Sequence, residues 1–158
     1  MPKLKVRPGD KAPDFEALDD KGSFVRISDF YGNKHIVLYF YPRDHTPGCT
    51  LEARGFNQLF SEFEKRNTAV LGLSTDAVTS HRRFSDSCAL NFRLVADPEG
   101  RIARAYGALS GLLGIFGIAS RVTVLIDKTG IVRAAWGAVS PRGHAEEVLR
   151  EIDRIALD

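Results

Sequence analysis

The chain has 158 residues, 44% apolar and 27% charged, and its 22 Lys+Arg against 20 Asp+Glu give a formal net charge of +2. Such a length fits one domain, residues 1–158, that buries roughly 70% of its unfolded surface with no disulfide or metal staple, and the apolar share excludes a disordered chain. The near-neutral charge does not argue for nucleic acid, the longest apolar run, Leu112–Ala119, has 8 residues against about 20 for a membrane span, and the start lacks a signal peptide's apolar core.

In chain order, Asp14–Leu18 and Ser23–Ile27 read as short strands around the turn Asp19-Asp20-Lys21-Gly22. His35–Tyr41 is an unbroken apolar, β-branched and aromatic run, the pattern of a strand covered on both faces, and Pro42 ends it. Helical spacing of Phe56, Leu59, Phe60 and Phe63 predicts one helix over Cys49–Arg66. Ala69–Ser74 is a second buried strand, Ala77–Cys88 a helix, and Glu99–Tyr106 a short helix after the Asp97-Pro98 turn. Val122–Asp127 and Ile131–Trp136 are strands joined by the hairpin turn Lys128-Thr129-Gly130, and Pro141–Ala156 is a final amphipathic helix. A hairpin, a β-α-β-α unit, a short insert and a closing ββα unit predict an α/β thioredoxin-like fold, a central mixed sheet with helices on both faces.

The chemistry lies in Pro42-Arg43-Asp44-His45-Thr46-Pro47-Gly48-Cys49, between a buried strand and the following helix. That position puts Cys49 in a first helical turn, where unpaired N–H groups and the helix dipole favour an anion. The thiolate is the nucleophile, yet an ordinary cysteine thiol is only about 3% ionised at pH 7. Making it about nine-tenths ionised takes about 3.4 kcal/mol of preferential stabilisation, and a helix terminus supplies about 0.3–1 kcal/mol, at most about 2. A cation is therefore required, and arginine serves best because it stays charged when buried.

The pattern Pro42-x-x-x-Thr46-x-x-Cys49 resembles the active-site motif of peroxiredoxins, and Tyr41–Ala53 (YPRDHTPGCTLEA) is similar to the bacterioferritin-comigratory-protein, or peroxiredoxin Q, branch. Pro8–Phe15, Ser80-His81 with Phe84, and Arg121–Gly130 extend the likeness over nearly the whole chain. The resemblance implies a thiol peroxidase acting on hydrogen peroxide and alkyl hydroperoxides, with Cys49 as the peroxidatic cysteine and Thr46 holding the peroxide. Arg121 would be the cationic partner and Pro42 the shield of the sulfur, while the N–H groups of Gly48 and Cys49 would contact the peroxide oxygens. Glu52, one turn after Cys49, would orient the arginine. Thioredoxin or a similar dithiol would return the electrons. A cytoplasmic protein, monomeric or weakly dimeric, is expected, with neither nucleic acid nor membrane as partner. No cofactor is expected, because the histidines and cysteines lack metal-ligand spacing and no glycine-rich phosphate loop is present.

Two departures stand out. Many members of the branch carry a second cysteine five residues after the first, where this chain has Arg54; Cys88, 39 residues after Cys49, is the sole other thiol and becomes the candidate resolving cysteine. The branch variant with its second cysteine in the later helix has it directly after the phenylalanine, where this chain has Ser85. Leu112–Ala119 (LLGIFGIA) is apolar, where the stretch before the arginine in the family it resembles is usually longer and more polar, which suits a collar on the site, an organic peroxide tail or a docking partner. Plainer readings stay open: Thr46 as a helix cap, Arg121 as a surface charge, Cys88 as core packing, and His35, His81 and His144 as structural or exposed. Rival functions are a one-cysteine peroxidase using an external thiol, a thioredoxin-like disulfide oxidoreductase, disfavoured by Thr46 where a C-x-x-C pair starts, and a non-catalytic redox chaperone or adaptor.

Overall fold

A computed structural model describes residues 2–157. The first hairpin pairs β1 (Glu16–Asp19) with β2 (Phe24–Arg26). Its turn is built by Asp19, whose Oδ1 accepts the N–H groups of Lys21 and Ser23, each at 2.9 Å, with Gly22 at φ +79° taking the left-handed position. The strand β3 (His35–Phe40) follows, buried at every residue, then α1 (Pro47–Gln58), α2 (Phe60–Lys65) and β4 (Thr68–Ser74). After them come α3 (Val78–Cys88), β5 (Arg93–Ala96), α4 (Arg101–Tyr106) and a 3₁₀ turn at Leu112–Phe116. The chain closes with β6 (Val122–Ile126), β7 (Val132–Trp136) and α5 (His144–Arg154).

The strands form one sheet in the order β2-β1-β5-β4-β3-β6-β7. The pairs β3–β4 and β4–β5 are parallel, and β6 runs antiparallel to both β3 and β7. This is the mixed sheet of the thioredoxin-like fold, with the hairpin added at one edge. Alternation along β3 divides the core in two. Ile36, Leu38 and Phe40 pack with Ile102 and Tyr106 of α4. Val37 and Tyr39 face Ala53 and Phe56 of α1, Phe63 of α2, Phe84 of α3, and Val148 and Ile152 of α5.

Two elements differ from expectation. The predicted helix Cys49–Arg66 is two helices, broken at Leu59 (φ −102°, ψ 13°). Apolar spacing runs through the break because Phe56 and Phe63, both fully buried, belong to the same core. The strand β5 has no counterpart among the predicted elements: four residues are too few for a periodic signal, and the pairing with β4 on one side and β1 on the other makes the strand. The segment 109–119 projects from the body as a loop closed at its neck by the Ser120 N–H to Ala108 carbonyl bond, 2.8 Å. Its 3₁₀ turn leaves Leu112, Ile115 and Phe116 more than 70% exposed.

Candidate active site

The site begins where β3 ends. Tyr41 stays buried, and Pro42, which has no N–H to offer a further rung, turns the chain outward. His45 adopts φ +65°, a left-handed residue that breaks continuity just before α1. The helix opens with Thr46 at the N-cap position and Pro47 in the first turn, where a missing N–H costs nothing. Its first backbone bond runs from Thr50 N–H to Thr46 carbonyl, 2.9 Å, so the N–H groups of Gly48 and Cys49 lie ahead of the ladder and are available to an anion. Cys49 is 1% exposed and packs with Tyr39, Ala53 and Phe84.

Arg121 is brought to this turn by strand register. β6 pairs antiparallel with β3 so that Val122 lies opposite Phe40, which sets the preceding residue beside the end of β3 and the start of α1. One guanidinium nitrogen (Nη1) donates to Glu52 Oε1 at 2.9 Å. The other (Nη2) lies 2.6 Å from the point a Cβ on Gly48 would occupy, so the cation rests against the turn that holds Cys49. Glu52 is buried, and its Oε2 has no hydrogen-bond partner among the described residues. Burial pushes this carboxyl up to about 7, even though the charge and hydrogen bond of Arg121 pull it down. An open groove of about 420 Å³ beside the cation is lined by Pro42, Leu112, Leu113, Arg121, Ala138 and Val139.

The loop ahead of Cys49 is fastened from below. Asp44, buried, accepts from Tyr41 Oη (2.7 Å) and Ser80 Oγ (2.8 Å) and faces His81 Nδ1 at 2.7 Å. His81 Nε2 faces the Val95 carbonyl at 3.0 Å. The ring thus bridges the Asp44 carboxyl and the Val95 carbonyl, tying the loop to α3 and β5. Burial raises the Asp44 carboxyl, but hydrogen bonds from His81, Tyr41 and Ser80 and the charge of His81 hold it below the ordinary range. Asp76 joins the cluster, its Oδ2 accepting from Asp44 N–H and Ser74 Oγ. The ring of His45 also stands edge-on to Phe84, centroids 5.3 Å apart. The loop 42–46 is thus docked on α3.

Cys49, Gly48, Glu52 and Arg121 therefore converge, with Pro42 on the groove. Arg121 is not an unattached surface charge: its side chain is 18% exposed and paired with Glu52. Thr46 Oγ1 donates to the Arg43 carbonyl at 3.0 Å and makes no side-chain cap bond. Cys88 sits apart at the C-terminal end of α3, half-buried against the same core group as Cys49. His35, His81 and His144 are all buried. Sequence reasoning missed the Asp44–His81 pair; its traces were an acidic residue inside the Pro-to-Cys loop and the Ser80-His81 that carries part of the resemblance.

A thioredoxin-like sheet with a buried cysteine in the first turn of a helix, and an arginine held over that turn, defines a cysteine-dependent oxidoreductase. The AhpC/TSA family model matches residues 8–135. A bcp-type peroxiredoxin of Helicobacter pylori is 42% identical over 159 residues, 96% of this chain and 100% of that protein. The structure of a Xylella fastidiosa PrxQ variant superposes with TM-score 0.90 at 33% identity, covering 98% of this chain and 99% of the other. The bacterioferritin comigratory protein of Xanthomonas campestris, studied for alkyl peroxide reduction, matches at TM-score 0.86 and 31% identity over 98% and 99% of the two chains. The chain belongs to the AhpC/TSA family, and the relatives it matches over their full length are peroxiredoxins of the Bcp and PrxQ type.

Proposed function

We propose that the chain reduces hydrogen peroxide and alkyl hydroperoxides through Cys49 and is re-reduced by thioredoxin or a comparable dithiol. The observation that carries this reading is the guanidinium of Arg121 lying against Gly48, over the helical turn that holds the buried Cys49. The Cys49 thiolate attacks the terminal peroxide oxygen, the O–O bond breaks, and the leaving oxygen takes up a proton and departs as water or alcohol. Charge develops on that oxygen in a site where fixed donors are worth most. The N–H groups of Gly48 and Cys49, the Arg121 guanidinium and the Thr46 hydroxyl are the groups at hand. Glu52 fixes the guanidinium through the 2.9 Å bond, and Pro42 narrows access from the groove, whose apolar walls suit an alkyl tail.

The product is Cys49 sulfenic acid. Attack by the Cys88 thiol on its sulfur expels water and leaves a Cys49–Cys88 disulfide, which the external dithiol reduces. Cys49 lies in a buried helical turn and Cys88 at the end of another helix, and a disulfide needs Cα atoms within about 7 Å, so both segments rearrange. The test is turnover by Cys49→Ser, which removes the nucleophile at almost constant volume. Loss of peroxide reduction with an intact fold supports the assignment; turnover above a few per cent of the parent rate defeats it. Retained thioredoxin-dependent cycling by Cys88→Ser points instead to a one-cysteine cycle.

A further inference from the structure

The two halves of α3 are held in different ways. Its N-terminal half is anchored by His81, which bridges Asp44 and the Val95 carbonyl, by Ser80 on Asp44, and by the fully buried Phe84. Its last turn has no such anchor. Cys88 is followed by Ala89 in the left-handed region at φ +50°, a conformation unfavourable for a residue with a Cβ. Among the described residues, the only side-chain hydrogen bonds joining 88–91 to another element come from one residue of α1. Asn57 donates from Nδ2 to the Ala89 carbonyl at 3.1 Å and accepts the Asn91 N–H on Oδ1 at 2.7 Å.

We propose that Asn57 is the latch of the resolving turn, a positioning residue that sets how often Cys88 is released to meet oxidised Cys49. The inference rests on the reading of Cys88 as the resolving thiol. Its chemistry is that already given: the Cys88 thiol attacks the Cys49 sulfenic sulfur, one S–S bond forms, and water leaves. Asn57 takes no part in those bonds. It ties the segment that must leave α3 to the helix that must open at its other end, so one amide couples both movements. The anchored half of α3 stays in place, and release is confined to Ser85–Leu90. Because the latched protein holds Cys49 as sulfenic acid for longer, the same amide sets how readily a second peroxide carries Cys49 on to sulfinic acid.

The experiment compares the full chain with Asn57→Ala and Asn57→Asp, using one equivalent of peroxide and rapid acid quench, with sulfenic acid, disulfide and sulfinic acid read by mass spectrometry. Two solvent-accessible hydrogen bonds are lost in the alanine variant, so disulfide closure is expected to speed up roughly fivefold. The peroxide concentration that half-converts Cys49 to sulfinic acid rises by the same factor. Asn57→Asp keeps the acceptor for Asn91 but not the donor to Ala89 and falls in between. The rate of sulfenic acid formation is the same in all three proteins, which a general loosening of the fold would not give. Equal or slower closure in both variants, with the Cys49–Cys88 link present, overturns the latch alone. Absence of that link from the parent protein overturns the resolving role of Cys88 and the latch with it.

Discussion

Arg121 occupies the space that a side chain on Gly48 would need: a Cβ there would sit 2.6 Å from Nη2 and 3.5 Å from Cζ of the guanidinium. Glycine at this helical position lets a positive charge rest on the turn that carries Cys49, the nucleophile of the proposed reaction.

Gly48→Ala is expected to separate stability from activity. Alanine improves helix propensity by about 0.5–1 kcal/mol, and the guanidinium, as the end of a long chain, can swing aside. That movement strains the bond to buried Glu52, which offsets the gain in propensity, so thermal stability changes little while peroxide reduction falls by tenfold or more. Unchanged turnover in a folded Gly48→Ala protein would show that the contact has no catalytic weight.

Arg121→Met keeps length and removes charge. The expected loss in the first step is about a hundredfold, the scale for deleting one donor at a developing oxyanion. Stopped-flow peroxide consumption checks this; a folded Arg121→Met protein as fast as the parent would remove Arg121 from the reacting groups.

Thr46→Val preserves the branched shape and deletes the hydroxyl. Hydrogen bonds to charged groups contribute about 1.5–3 kcal/mol, so a ten- to hundredfold slower first step is expected, with Thr46→Ser near the parent. The hydroxyl makes no cap bond, and its one bond, to the Arg43 carbonyl, is exposed, so melting temperature should fall only slightly beside the loss of rate. A valine variant as fast as the parent would leave Thr46 a packing residue.

Glu52 gives the stability a pH dependence of defined sign. Its carboxyl lies near 4.5 in the unfolded chain and about 7 when folded. The folded protein therefore holds a proton that the unfolded chain has released, and this contribution is complete below about 4.5 and fades as pH rises to about 7. The difference is on the order of 3 kcal/mol for a shift of this size. Urea midpoints at pH 5 and pH 7.5 should fall more steeply for the parent than for Glu52→Gln. Parallel pH profiles would mean that Glu52 is ionised and well solvated in the folded chain.

Much of this architecture is legible before any coordinates. The unbroken run of β3 announces a strand covered on both faces, and the Pro42–Cys49 segment announces a cysteine in the first turn of a helix. What stays hidden is non-local. The β5 strand exists because two partners flank it. The helix break at Leu59 leaves the apolar spacing untouched. Asp44 and His81 are 37 residues apart, and nothing in either residue's neighbourhood announces that the two meet in the interior. The apolar stretch 112–119 is visible as composition, whereas its projection as a neck-closed loop depends on the Ser120–Ala108 bond.

That neck separates two design problems. Arg121 follows the loop immediately, yet its place is fixed by the ladder that sets Val122 opposite Phe40. A one-residue slip of that ladder would turn every side chain of β6 to the other face, whereas the exposed 3₁₀ turn at Leu112–Phe116 lies between the ties of Ser110 to Lys3 and of Gly117 to Thr75, outside the ladder. The apolar segment beside the groove and the charge on the turn of Cys49 are thus set by different parts of the fold, so the walls of the groove can change while Arg121 stays where the ladder puts it.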